Sequence, residues 1–181
     1  DALPDIADSM ASQELTNSLW AAAQLKEVAP VVLRAVPALV GRLPTRIGEM
    51  IPQAVANCLW ASAELLDDAT EVWVTAPQLA ARLPSAARRM KPQELANSLF
   101  AIARLRRAVP EVVKDVGPLV GLIRERASGM KEQELLNSLW ASTCLQVVTP
   151  LTIPLLPAVA QYLPGKTTAM IRRRQPSFPE R

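Results

Sequence analysis

Residues 90–105 read MKPQELANSLFAIARL. The same phrase, with substitutions, stands at 10–25 (MASQELTNSLWAAAQL), at 50–65 (MIPQAVANCLWASAEL) and at 130–145 (MKEQELLNSLWASTCL). The interval is 40 residues each time, with no insertion. A fixed period of this size is the mark of a repeat array, in which each unit buries its apolar face against the next. Several columns hardly vary: Met10, Met50, Met90, Met130 and Met170; Leu19, Leu59, Leu99 and Leu139; Leu25, Leu65, Leu105 and Leu145. An aromatic (Trp20, Trp60, Phe100, Trp140) and then an alanine (Ala21, Ala61, Ala101, Ala141) follow the first leucine.

The phrase predicts a helix, helix A, over roughly 12–26 of each copy. Leu15, Leu19, Ala22 and Ala23 recur at the 3.6-residue rhythm, and Pro52 and Pro92 stand where a first helical turn tolerates proline. On a wheel of about 100° per residue, Leu15, Leu19, Trp20, Ala22 and Ala23 cover one side. Leu25 and Ala21 close in from the other, leaving a thin polar strip of Gln13, Asn17 and Gln24. A helix so arranged is flanked by neighbours on two sides.

The second half of each unit opens with Pro30, Thr70, Pro110 or Pro150. Pro37, Pro77, Pro118 and Pro157 follow one to two turns later, where proline breaks or kinks a helix. Helix B is therefore expected to be bent or split there. Leu43-Pro44, Leu83-Pro84 and Leu163-Pro164 are expected to stop it, whereas Ile123-Arg124 in the third copy lets it run further. The expected class is all-α: an α-solenoid, a superhelix of helical hairpins with a 40-residue period. Its divisions are a half-repeat at 1–9, repeats at 10–49, 50–89, 90–129 and 130–169, and a basic tail at 170–181. Terminal repeats of such arrays carry a polar face. The opening half-repeat has no dedicated cap, so a longer array or a partner is expected to cover that end.

Composition agrees. The 181 residues are 50% hydrophobic but only 4% aromatic, with 6 Gly against 16 Pro. That suits short helices punctuated by proline better than a sandwich or barrel. No apolar run approaches the ~18–20 residues of a membrane span. His is absent, which removes the commonest general base and the commonest metal ligand. The two cysteines, Cys58 and Cys144, form no CxxC pair and read as small half-buried thiols. With no phosphate-binding glycine loop and no nucleophile elbow either, no catalytic role, metal or cofactor is expected.

The polar columns divide in two. Gln13, Gln53, Gln93 and Gln133, with Asn17, Asn57, Asn97 and Asn137, do not vary. They read as structural, with Asn57 and Asn97 expected to be buried and bonded to backbone between stacked units. The column that varies is Gln24, Glu64, Arg104, Cys144. If one repeat reads one base, this is the candidate readout position. The aromatic column, beside invariant leucine, is expected in the core.

The quoted phrases PQELANSLFAIARL, NSLWAAAQL and NCLWASAEL resemble the octotricopeptide-repeat family, and the resemblance covers residues 10–164. It implies stacked helix pairs that bind organellar RNA and act in its processing, stability or translation, some members being architectural subunits of organellar ribosomes. The chain, on that resemblance, belongs in a chloroplast or mitochondrion.

Charge is unevenly spread. Residues 1–81 hold 4 basic and 10 acidic side chains, net −6, and residues 82–131 hold 11 basic and 4 acidic, net +7. A basic stretch is the electrostatic footprint of nucleic-acid binding. Arg88, Arg89, Lys91, Arg104, Arg106 and Arg107 are the candidate RNA contacts. The acidic first half suits a protein surface instead. The expected partner is thus single-stranded RNA, or other protein subunits of a large assembly.

Overall fold

The structure, a computed structural model, describes residues 3–163. Every regular element among them is helical, as the all-α expectation requires. The first part comprises α1 (Leu3–Ser9), α2 (Ser12–Leu25), α3 (Val36–Arg46), α4 (Pro52–Glu64) and α5 (Val72–Ala80). The second comprises α6 (Leu83–Ala86), α7 (Pro92–Leu105), α8 (Gly117–Arg126), α9 (Glu132–Leu145) and α10 (Leu155–Ala160). Pro164 and the basic tail expected at 170–181 lie outside the described residues.

The helix A phrase becomes α2, α4, α7 and α9, each starting within two residues of its conserved methionine. Three of them begin the same way: Glu14, Glu94 and Glu134 reach back to accept the backbone N–H of Ala11, Lys91 and Lys131 at 2.7, 2.9 and 2.8 Å. That satisfies one donor otherwise orphaned at a helix start. In α4 the position is Ala54, and Pro52 supplies the start instead. The methionine column works just before this point. Met50, Met90 and Met130 take extended backbone after a single 3-10 turn, and their side chains are buried. They anchor the reversal from one unit to the next.

Helix B is split, as expected, but its prolines act differently from the reading above. In the first, third and fourth copies a 3-10 segment (Pro30–Ala35, Pro110–Asp115, Pro150–Thr152) precedes the α-helix. Pro37, Pro118 and Pro157 then fall in the first turn of that helix, where the missing N–H costs nothing. They start the second segment. Leu43-Pro44 does not stop α3, which contains Pro44 and continues to Arg46. Leu83-Pro84 opens α6. Nor does α8 run further for lack of that proline: it ends at Arg126, the position equivalent to Arg46, and a 3-10 turn follows both. The boundary is set by the reversal at the buried methionine.

Packing runs between neighbours. α2 packs on α4, α4 on α7 and α7 on α9, while α1 packs on α3, α3 on α5, α6 on α8 and α8 on α10. Each helix A also packs on its own B segment. The contact between A helices is lined by alanine and keyed by leucine: Ala56, Leu59, Ala63, Ala96, Leu99 and Ala103 are all buried. Small residues let the backbones approach, and each buried leucine contributes ~1.5–3 kcal/mol of transfer free energy.

Candidate binding surface on the A helices

With the B layer behind every helix A, and A neighbours on both sides of α4 and α7 and on one side of α2 and α9, the face opposite the B layer stays open in all four. Residues 13, 17, 20 and 24 lie within about 60° of one another on that face. Four rows therefore run across the successive helices: glutamine, asparagine, aromatic, and the variable column.

The aromatic row corrects the sequence reading. Trp20 is 43% exposed, and Trp60, Phe100 and Trp140 are half-buried: Trp60 and Trp140 pack against the edge of the core, but none of the four is enclosed by it. Their angular position is that of the polar strip, which lies at the edge of the core. The rings associate in pairs instead. Trp20 and Trp60 have centroids 6.3 Å apart at 39°, and Phe100 and Trp140 4.8 Å apart at 40°. Such tilted pairs add ~0.5–1.5 kcal/mol beyond area burial, yet leave ring surface open.

The asparagine row is corrected too. Asn57 and Asn97 are half-exposed, not buried, and neither makes a side-chain hydrogen bond among the described residues. In the first and last copies the partner is the glutamine one turn earlier. Gln13 Nε2 donates to Asn17 Oδ1 at 2.9 Å, and Gln133 Nε2 to Asn137 Oδ1 at 2.7 Å. All four glutamines, including Gln53 and Gln93, are exposed. Each row thus offers amide donors and acceptors to solvent.

In the variable column Gln24 is exposed, while Glu64, Arg104 and Cys144 are half-buried. Arg104 Nη1 meets Glu64 Oε1 at 2.5 Å across the α4–α7 contact. The two charges in this variable column are spent largely on each other. The Cys144 thiol is pushed up from its ordinary pKa by burial, with the Arg106 and Arg107 guanidinium groups pulling it back. Beside this row, Lys26 Nζ donates to the Glu64 carbonyl at 2.6 Å and pairs with Asp68 at 2.7 Å. Its charge sits at the C-terminus of α4, where the helix dipole favours a cation.

The basic candidates do not form one patch. Arg88 and Arg89 lie in the 3-10 turn before α7 and Lys91 at its N-cap; Arg104 lies in its last turn, Arg106 at its C-cap and Arg107 just beyond. The 14-residue helix holds the two groups about 20 Å apart. Arg88 lines a shallow groove of about 460 Å³ on the B layer, with Pro84, Pro118, Gly121, Leu122 and Glu125. Arg126 donates to the carbonyls of Met90 and Arg88 at 2.6 and 3.0 Å, tying that turn to α8. Arg106 donates to the Ala103 carbonyl, so part of its hydrogen-bonding capacity is local.

The wheel already contained the signal for the open face: Trp20 falls about 20° from Gln13 and about 40° from Gln24 in angle. Hydrophobicity alone assigned it to the core. Among the described residues no cluster of three or more Cys, Asp or Glu is placed to hold a metal ion. No described helix is long and apolar enough to cross a membrane. No family model matches the chain, and neither a curated protein nor a solved structure matches it.

Proposed function

We propose that the chain is an α-solenoid with a 40-residue period that binds single-stranded RNA in an organelle, without catalysis. The observation that carries this reading is the open face of the A helices. Half-exposed aromatics and unburied amides share it in continuous rows. Unpaired bases stack on aromatic rings, worth ~1–3 kcal/mol per base by alanine substitution, and are read at their edges by side-chain amides. Asn57 and Asn97, having no protein partner to satisfy, suit that role. The organellar setting, and a part in RNA processing, stability or translation, rest on the resemblance of the repeated phrase to octotricopeptide repeats. Phosphates would be met at either end of α7, by Arg106 and Arg107 or by Arg88, Arg89 and Lys91.

One observation favours a second reading, a protein-binding subunit of a large organellar assembly. Residues 1–81 are net −6, and a segment of that sign repels a polyanion.

Fluorescence polarisation against several single-stranded RNAs across a salt series tests the proposal. Binding should weaken steeply with salt, because phosphate contacts release counterions. Trp60→Ala and Asn97→Ala should weaken it, while Arg106→Glu with Arg107→Glu should weaken it about equally for every sequence. Binding that survives Trp60→Ala unchanged removes the face from the site. No binding at low salt leaves the protein-subunit reading.

A further inference from the structure

The first helix of the A layer presents an apolar face that nothing described covers. Ser18, Ala21 and Leu25 lie at i, i+3 and i+7 on α2; Ser18 and Ala21 are half-exposed and Leu25 is 44% exposed. The same three residue types stand at Ser98, Ala101 and Leu105 of α7 and at Ser138, Ala141 and Leu145 of α9, and all six are buried. In α4 the set is Cys58, Ala61 and Leu65, buried as well. What covers these positions is the preceding helix A. The Cys58 thiol donates to Thr16 Oγ1 at 3.4 Å, placing position 18 of one copy against position 16 of the copy before. The covering rows are Thr16, Leu19 and Ala23, then Ala56, Leu59 and Ala63, then Ala96, Leu99 and Ala103, each buried.

We propose that the Ser18–Ala21–Leu25 face is a docking surface for an in-register repeat of the same kind, whose helix A presents a small–leucine–small row at i, i+3 and i+7. The inference rests on this internal packing and is independent of RNA binding. The face continues an interface that the molecule already makes three times. Its side chains equal those at two of the three, so the partner surface is specified by residue type. α1 supports the same geometry in the second layer: it packs on α3 as the end of a preceding B segment would. The open side of α9 does not supply this occupant from a second copy. Its row reads Leu136, Leu139 and Thr143, and leucine in the place of the first small residue overfills a contact built for alanine.

The test adds the occupant. Residues 90–120 joined ahead of Asp1 keep the 40-residue register and set the row of Ala96, Leu99 and Ala103 against α2. Leu25→Lys is then made in the chain as it stands and in the extended chain. The substitution should leave the first nearly unchanged and lower the Tm of the second by roughly 5–10 °C. Hydrogen exchange of the α2 amides gives a second readout, and the extension should slow it at least tenfold. Equal effects of Leu25→Lys in both chains, or α2 exchange that the extension does not slow, overturn the proposal. A concentration-dependent dimer of the unextended chain that Leu25→Lys abolishes, seen by sedimentation, also overturns it and gives the face to a second copy.

Discussion

α2 and α9 are written from the same phrase and bury opposite sides. In α2, Leu25 is exposed while Leu19 is buried; in α9, Leu145 is buried while Leu139 is only half-buried and Thr143 is exposed. The two inner helices, α4 and α7, bury both leucines completely. Nothing in the residues themselves separates Leu25 from Leu105. The neighbour does: position 25 faces the preceding helix A and position 19 the following one. An invariant leucine column thus marks a capacity for contact, and the contact exists only where the next unit is present.

The sharpest way to break this comparison is to truncate the equivalent leucines. Leu105→Ala and Leu99→Ala should each cost ~2–5 kcal/mol, the usual range for a buried large-to-small change. Leu25→Ala should cost less than about 1 kcal/mol, since much of its side chain already meets water. Urea denaturation decides it; equal losses at 25 and 105 would mean that α2 is covered.

Next in size is the alkaline limit set by Cys58. This thiol sits inside the α2–α4 contact, and burial pushes it from 9.0 up to about 11, against a lowering by its Thr16 hydrogen bond. Above pH 9 the unfolded chain ionises the thiol and the folded chain does not, so the stability present below pH 9 drains away as pH rises towards 11. The loss should approach ~2–3 kcal/mol. Cys58→Ser, which copies Ser18, Ser98 and Ser138, should remove that component in paired pH titrations of stability. Alkylation separates the two thiols as well. The half-exposed Cys144 should react with the native protein, and Cys58 only as it unfolds.

Leu139→Ala should fall between the first two leucine results, at about 1–2 kcal/mol, because Leu139 is only half-buried on the side of α9 that no described helix A follows. Smallest is the Glu64–Arg104 pair. Both side chains are about three-quarters shielded, at 24% and 28% exposure. A double-mutant cycle with Glu64→Gln and Arg104→Gln should give a coupling of ~0.5–1 kcal/mol that shrinks with added salt. A coupling of zero would free Arg104 for a ligand.

Much of the fold was legible beforehand. The start of α7 was readable from Pro92, and its length from the spacing of Leu95, Leu99 and Ile102. The B segments were less so. Proline chemistry is local, but whether Pro37 breaks a helix or begins one depends on where the chain has already turned. The site was least legible. Trp20 and Asn17 are separated by hydrophobicity yet share a face, and Arg88 and Arg106 are joined by charge yet lie at opposite ends of one helix.

Sequence alone determined the period, the four A helices and the angular order of residues around each, because a 3.6-residue repeat maps position onto angle without reference to anything else. Tertiary structure decided which of those angles are closed. It opened the tryptophan and asparagine rows, buried Leu105 but not Leu25, and set Glu64 against Arg104 across 40 residues of chain. Burial is a property of two surfaces, and a repeated phrase specifies one of them at a time.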